Sequence, residues 1–244
     1  MRLRLDETTR LLVLTGAGVS AESGVPTFRA AGGLWESHPV EKVASPEGFL
    51  EDPALVWRFY SARRRQVRDV HPNPGHETLA AVEERLGDRF LLVTQNVDGL
   101  HRRAGSRRLI ELHGSLLLTR CHRCDRAPFP DDRAYEEPPR CDECARRGVE
   151  GLLRPAVVWF GELLDLDHFR RIEEFMSGGG GRLVFLAVGT SGVVYPAAGL
   201  VLHARGAGAQ AWLVNAEAPE NRTAFHHFVE GPSGQVLPAL FEWA

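Results

Sequence analysis

The chain has 244 residues, with 29 Lys and Arg against 32 Asp and Glu and a formal net charge of −3 at pH 7. That length suffices for one substantial core plus a small module, and the charge balance leaves no basic footprint for specific nucleic-acid binding. No apolar stretch approaches the ~20 residues of a membrane span, and no apolar signal core precedes the first strand. All four cysteines fall into two CxxC pairs. That is the usage of a reducing cytosol rather than of a disulfide framework, so a cytoplasmic protein is expected.

In chain order, Leu11–Leu14 is a short apolar run of strand type that opens into Gly16-Ala17-Gly18. Glycines there let the backbone turn tightly and approach a ligand. Ser20, Glu22 and Ser23 suit a helix N-terminus, whose N–H groups attract phosphate. Gly16, Gly18 and Gly24 miss the strict G-x-G-x-x-G spacing, so a dinucleotide loop and a plain strand-to-helix turn both remain open. Phe28-Arg29, then Ala30-Ala31-Gly32-Gly33 and Trp35, exceed what a plain turn needs.

Residues 34–70 read as a helical insertion, with starts near Ser45-Pro46 and Asp52-Pro53. Val56, Tyr60, Arg63 and Val67 share one helical face, which places Arg63 in line with apolar residues. Either the arginine snorkels from that face or it clamps a carboxylate with the phenol beside it. Arg64 and Arg65 are expected to face solvent. Further on, helical patterns at Gly75–Leu86, Asp167–Met176 and Pro196–Arg205 alternate with apolar runs. Those runs are Phe90–Thr94, Leu109–Leu112, Ala156–Phe160, Leu183–Val188 and Ala211–Val214. Continuous rather than alternating runs argue for strands covered on both faces. The expected fold is therefore an α/β doubly wound, Rossmann-like parallel sheet with its ligand at the carboxyl ends of the strands. Residues 1–33, 71–115 and 152–244 form that domain, and 34–70 and 116–151 are insertions.

Polar residues crowd those strand ends. Gln95-Asn96-Val97-Asp98 follows one strand and, alone, would be an Asx-type turn. His113 ends the next, beside Gly114, and a lone histidine there is as readily structural as a general base. Gly189-Thr190-Ser191 and Asn215-Ala216-Glu217 end two more. Between them Cys121-x2-Cys124 and Cys141-x2-Cys144, sixteen residues apart, have the spacing of a closed four-thiolate zinc site, with redox pairs as the alternative.

GAGVSAESGVPTFR from Gly16 to Arg29, QNVDGLH from Gln95, LHGS from Leu112, the cysteine pairs, RPAVVWFGE from Arg154, GTS from Gly189 and NAE from Asn215 resemble, in order, the motifs of the sirtuins. These are NAD-dependent protein deacylases, and the resemblance covers nearly the whole chain. It implies that Gly16, Ala17, Gly18, Ser20, Ala21, Glu22, Thr27, Phe28, Arg29 and Trp35 bind NAD from the glycine loop. Gln95, Asn96, Val97 and Asp98 would line the nicotinamide and ribose pocket. Gly189, Thr190 and Ser191 would meet phosphate or ribose, and Asn215, Ala216, Glu217 and Ser233 the adenosine end. His113 becomes the catalytic histidine. Val158, Phe160, Gly161 and Glu162 become a strand to which an acyl-lysine peptide adds, and Cys121, Cys124, Cys141 and Cys144 hold one structural zinc.

Tyr60-x-x-Arg63 is similar to the motif of the class III branch, and Thr27 and Ala30–Gly33 agree with it. That branch removes succinyl and malonyl groups. The implied activity is desuccinylation and demalonylation with deacetylation retained. Nicotinamide, 2′-O-acyl-ADP-ribose and free lysine are the products, made by a monomer acting on acyl-lysine proteins or peptides. A mono-ADP-ribosyltransferase and a non-catalytic NAD sensor on the same scaffold remain the alternatives.

Overall fold

Continuous apolar runs need cover on both faces, and the chain provides it with a parallel sheet between two helical layers. The computed structural model describes residues 1–26, 34–35, 38–191 and 197–244. Its principal strands are β1 (Leu3–Leu5), β2 (Thr9–Thr15), β3 (Phe90–Thr94), β4 (Leu109–Glu111), β5 (Gly114–Cys121), β6 (Leu153–Val157), β7 (Arg182–Val188), β8 (Gln210–Asn215), β9 (His227–Glu230) and β10 (Phe241–Trp243). The principal helices are α1 (Pro53–Asp69), α2 (Pro74–Leu86), α3 (Leu166–Ser177), α4 (Leu200–Gly206) and α5 (Ser233–Leu240).

The main sheet runs β9-β8-β7-β2-β3-β4, every pairing parallel. Alternate residues of β2 serve opposite cores. Leu12 and Leu14 pack with Ile172, Met176 and Val201 on one face; Leu11 and Val13 pack with Leu79, Val82 and Leu237 on the other. Chain order reverses between β2 and β7, so the crevice outside their carboxyl ends is the expected ligand position of this topology. No helix among the described residues is long and apolar enough to cross a membrane.

One expected strand of the main sheet lies elsewhere. The apolar run 156–160 predicts a parallel core strand, but β6 spans Leu153–Val157 and pairs antiparallel with β5, which also carries Phe129–Pro130. Pro155 explains the placement, because a proline removes a ladder N–H and belongs on an edge strand. Gly114–Cys121 and Leu153–Val157 thus belong to a separate antiparallel sheet and not to the main one. The helical insertion and the cysteine segment also share one core. Phe49, Val56, Trp57, Tyr60, Leu116, Cys121, Cys144, Leu153 and Trp159 belong to a single cluster.

Two helix starts fall where the sequence places them. Ser45 Oγ accepts from Gly48 N at 2.9 Å, and Asp52 Oδ1 accepts from Leu55 N at 2.8 Å, each followed by a proline suited to the first turn.

Arg64 departs from expectation: it is 1% exposed. The β5–β6 register shifts between Ser115 and Thr119, which turns carbonyls toward α1. Arg64 Nε donates to Leu116 O at 2.7 Å and Nη2 to Leu118 O at 2.9 Å and Thr119 Oγ1 at 2.8 Å, while Nη1 donates to Arg133 O at 2.8 Å. Removing the guanidinium leaves three carbonyls without this donor. Arg64→Met should therefore destabilise the protein by on the order of 3 kcal/mol or more in urea unfolding. A loss below about 1 kcal/mol would show that the bulge is satisfied without Arg64.

Candidate functional site

The site grows from the ends of β2, β3, β4 and β7. Thr15 pairs with Val188 and Thr94, and Thr94 with Glu111, which brings the following residues together. Gly18 N donates to Gly189 O at 2.8 Å, and a Cβ on Gly18 would lie 2.8 Å from Gly189 Cα. Gly189 itself sits at φ +60 with its Cβ position 2.3 Å from Val19 N. The contact of two strand ends thus requires these glycines.

A 3-10 helix, Ala17–Ser23, starts directly after Gly16. Ser20, Glu22 and Ser23 thus lie in the middle and last turn of this helix rather than at its N-terminus, because Gly16 provides the turn. Ala21 is exposed. The Glu22 carboxylate accepts from Gly234 N at 2.6 Å and Ser233 Oγ at 3.3 Å, so it caps the first turn of α5, where a negative group is favoured.

Ser20 is fully buried and saturated. Its Oγ donates to Asp98 Oδ2 at 2.7 Å, accepts from Asn96 Nδ2 at 3.1 Å and lies 3.4 Å from His76 Nε2. Asn73 N donates to His76 Nδ1 at 3.3 Å, which leaves the His76 proton on Nε2, facing Ser20. Burial lowers the His76 pKa to about 4, so the ring is neutral. Burial raises the Asp98 carboxyl, opposed by Leu100 N and Ser20. The sequence motifs do not include His76. Its signal was available, since it shares the buried face of α2 with Leu79, Glu83 and Leu86.

His113 is half-buried, and its Nδ1 lies 2.9 Å from Gln95 O. A carbonyl only accepts, so Nδ1 carries the proton and Nε2 presents a lone pair. Burial lowers the ring's pKa, partly offset by that hydrogen bond. Gly114, at φ +77, lets β5 pass Ala156 O at a distance no Cβ permits. Gln95 Nε2 donates to Thr190 Oγ1 at 3.2 Å, linking β3 to β7, and Val97 O accepts from Leu116 N at 2.8 Å.

On the small-domain side, Val158 N donates to His113 O and Phe160 N to Ala44 O, both at 2.9 Å. Trp159 N donates to the Glu162 carboxylate at 2.8 Å. Strand addition through these three amides is therefore closed, and a peptide along this segment would have to use its carbonyls. Glu162 is engaged within the protein: Arg154, buried and lying over the Trp159 ring at 3.3 Å, donates to both its oxygens at 2.6 and 2.9 Å. Burial raises the Glu162 carboxyl, but Arg154 and the Trp159 amide bring it below the ordinary range. A buried guanidinium requires such a partner, so Glu162 shapes the turn instead of offering its side chain to a peptide. Phe160 and Gly161 are exposed.

Tyr60 is fully buried, and its oxygen accepts from Trp159 Nε1 at 2.9 Å. Burial pushes the Tyr60 hydroxyl well above its ordinary pKa, so it is a neutral phenol, and Arg63, half-buried, lies one turn along the same face. The Tyr60–Trp159 bond connects this face to Val158 and hence to His113.

At the far end of the crevice Asn215 Nδ2 donates to Glu217 O at 2.8 Å, Ala216, Glu217 and Ser191 are exposed, and Ser233 is buried. Trp35 lies in a two-residue strand, Leu34–Trp35, paired with His38–Pro39. Thr27, Phe28 and Arg29, with Ala30–Gly33, lie outside the described residues.

The four cysteine sulfurs lie within 4.8 Å of one another, with Cys121–Cys144 at 3.6 Å and Cys124–Cys141 at 3.8 Å. A tetrahedron with Zn–S bonds of about 2.3 Å has edges of about 3.8 Å, so the set fits zinc. Gly151 packs against them, since a Cβ there would lie 2.4 Å from Cys144 Sγ. All four positions would be filled by sulfur, which makes the site structural. His122, exposed, pairs with the Leu152 backbone and is no ligand.

A sequence profile described as "Sir2 family" matches residues 16–196. The chain is 47% identical over 238 residues to "NAD-dependent protein deacylase 2" of Pyrobaculum aerophilum, covering 98% of this chain and 92% of that one. It is also 47% identical over 239 residues to "NAD-dependent protein deacylase" of Salmonella typhimurium, covering 97% and 84%. Among solved structures it resembles a Sir2 homolog–NAD complex, with TM-score 0.83, 41% identity and 94% and 86% coverage. A mutant Sir2 homologue with 2′-O-acetyl ADP ribose matches at TM-score 0.82 and 41% identity, covering 94% and 89%.

Proposed function

The chain belongs to the Sir2 family, and from that premise we propose that it is an NAD-dependent protein-lysine deacylase favouring acyl chains that end in a carboxylate. The observation that carries the activity is His113, whose Nδ1–H is committed to Gln95 O and whose Nε2 is therefore the basic atom. NAD, when bound, supplies the ribose carbon that the acyl oxygen attacks and the ADP-ribose that carries the acyl group away. Asn96 and Asp98, held through buried Ser20, position the nicotinamide-ribose end without having to reorganise. Asn215, Glu217 and Ser233 serve the adenosine end. His113 Nε2 takes a proton from a ribose hydroxyl, which its lowered pKa permits near neutral pH. With one water consumed in freeing the lysine amine, nicotinamide, 2′-O-acyl-ADP-ribose and free lysine would leave. The protein acts as a cytoplasmic monomer on acyl-lysine proteins or peptides, which run along 158–162.

Acyl selectivity rests on Tyr60 and Arg63, which lie one helical turn apart beside the substrate segment. A succinyl or malonyl carboxylate can accept charge-assisted hydrogen bonds from Arg63, whereas acetyl offers no carboxylate. Arg63→Met should reduce the succinyl-to-acetyl ratio of kcat/KM by about one to two decades. A succinyl preference that survives this substitution removes Arg63 from the acyl pocket.

A further inference from the structure

The carbonyl that takes the His113 Nδ1 proton belongs to a peptide group that is held at its other side as well. Gln95 O lies 2.9 Å from His113 Nδ1, and the N–H of the same peptide, on Asn96, donates to Thr94 Oγ1 at 3.1 Å. A peptide group is planar, so its carbonyl and amide turn as one unit. Thr94 Oγ1 is itself fixed. It accepts from Thr15 Oγ1 at 2.8 Å, and Thr15 Oγ1 lies 2.9 Å from His101 Nε2. With its hydrogen given to Thr94, Thr15 accepts from the His101 N–H. Burial keeps that ring neutral. Thr15, Thr94 and His101 are each at most 2% exposed, so water does not compete for these bonds.

We propose that Thr94 is a positioning residue for the deacylation reaction: its hydroxyl pins the Gln95–Asn96 peptide plane, and that plane holds His113 with its proton on Nδ1 and its lone pair on Nε2. This rests on the assignment of His113 as the base. Among the described residues Asn96 N has no acceptor other than Thr94 Oγ1. Without the hydroxyl this buried N–H is left unmet, and the plane turns toward another acceptor. Gln95 O turns with it and loses its alignment with the ring. Hydrogen bonds weaken steeply as they bend. A neutral ring freed from this one populates both tautomers, and one of them puts the proton on the atom that must act as base. The same rotation disturbs Asn96, whose Nδ2 donates to Gly16 O at 3.2 Å and Ser20 Oγ at 3.1 Å. Thr94 thus serves both the base and the turn that follows β3.

The test compares wild type, Thr94→Val, Thr94→Ala and Thr94→Ser. It reads the His113 tautomer from the imidazole nitrogen NMR signals, assigned with His113→Asn, and turnover of an acyl-lysine peptide at saturating NAD. Wild type should carry the His113 proton on Nδ1. Thr94→Val and Thr94→Ala should show a mixture of tautomers and a kcat lowered by about tenfold, with the KM for the peptide little changed. Thr94→Ser keeps the hydroxyl and should restore both readouts. Valine matches threonine in shape, and the serine–alanine pair gives the same contrast without a second methyl at the strand end. An unchanged tautomer in Thr94→Val and Thr94→Ala overturns the proposal. So does a serine variant no better than alanine, which is the mark of a merely structural role. Full activity in His113→Asn overturns the assignment of the base, and the part of Thr94 in catalysis with it.

Discussion

His113→Ala should reduce deacylation by about a hundred- to ten-thousand-fold while leaving the melting temperature nearly unchanged. Among the described residues the ring hydrogen-bonds only to Gln95 O, at the mouth of the crevice rather than in either core, so little folding energy depends on it. His113→Asn is the sharper variant: its amide N–H can donate to Gln95 O, but it offers no base. It should be as inactive as the alanine. pH dependence follows from the same geometry. Burial lowers the ring's pKa below its ordinary 6.5, and the neutral ring is the active form. Activity should rise with pH through an apparent pKa below 6.5 and be flat near pH 7, and this acid limb should be missing from any residual activity of the variants. An acid limb that persists in His113→Asn would assign the base to another group.

Cys144→Ser should unfold the small domain. Cys144 is fully buried, shares a core with Trp57, Tyr60 and Trp159, and stands 3.6 Å from Cys121 Sγ. Structural zinc contributes about 10–16 kcal/mol of apparent binding energy to folds of this kind. Its loss exceeds what a domain's marginal stability can absorb and should lower the melting transition by roughly 20 °C or more. A strong chelator should act like the substitution. Proteolysis should then cut between residues 116 and 151 while the parallel sheet survives. Activity should go as well, since Tyr60 and the 158–162 segment lose the core that holds them. A preparation without zinc that melts like the native protein would overturn the assignment.

Much of the main sheet was legible because its central strands are continuous apolar runs, a pattern fixed by burial on both faces. The helix starts at Ser45 and Asp52 were legible because capping is local chemistry. Arg64 was not. Its partners at Leu116 and Leu118 stand 52 and 54 positions away and are available only because the β5–β6 register shifts. Placing 156–160 in the main sheet failed for a different reason. Apolar content outweighed Pro155, the residue that marked an edge. The crevice glycines were identified as indispensable, but the sequence could not show that strand-to-strand contact is what requires them. β9 escaped notice because His227–Glu230 is only half-buried and pairs with a single neighbour. α5 escaped notice because Pro238 interrupts its pattern.

The most direct test of the account is the stoichiometry of one reaction, in which a succinyl-lysine peptide and NAD are incubated with the protein and all products are quantified. Free-lysine peptide, nicotinamide and succinyl-ADP-ribose should appear in equal amounts and stop together when NAD is exhausted. Peptide deacylated without consumption of NAD, or ADP-ribose transferred to protein without release of free lysine, would contradict it.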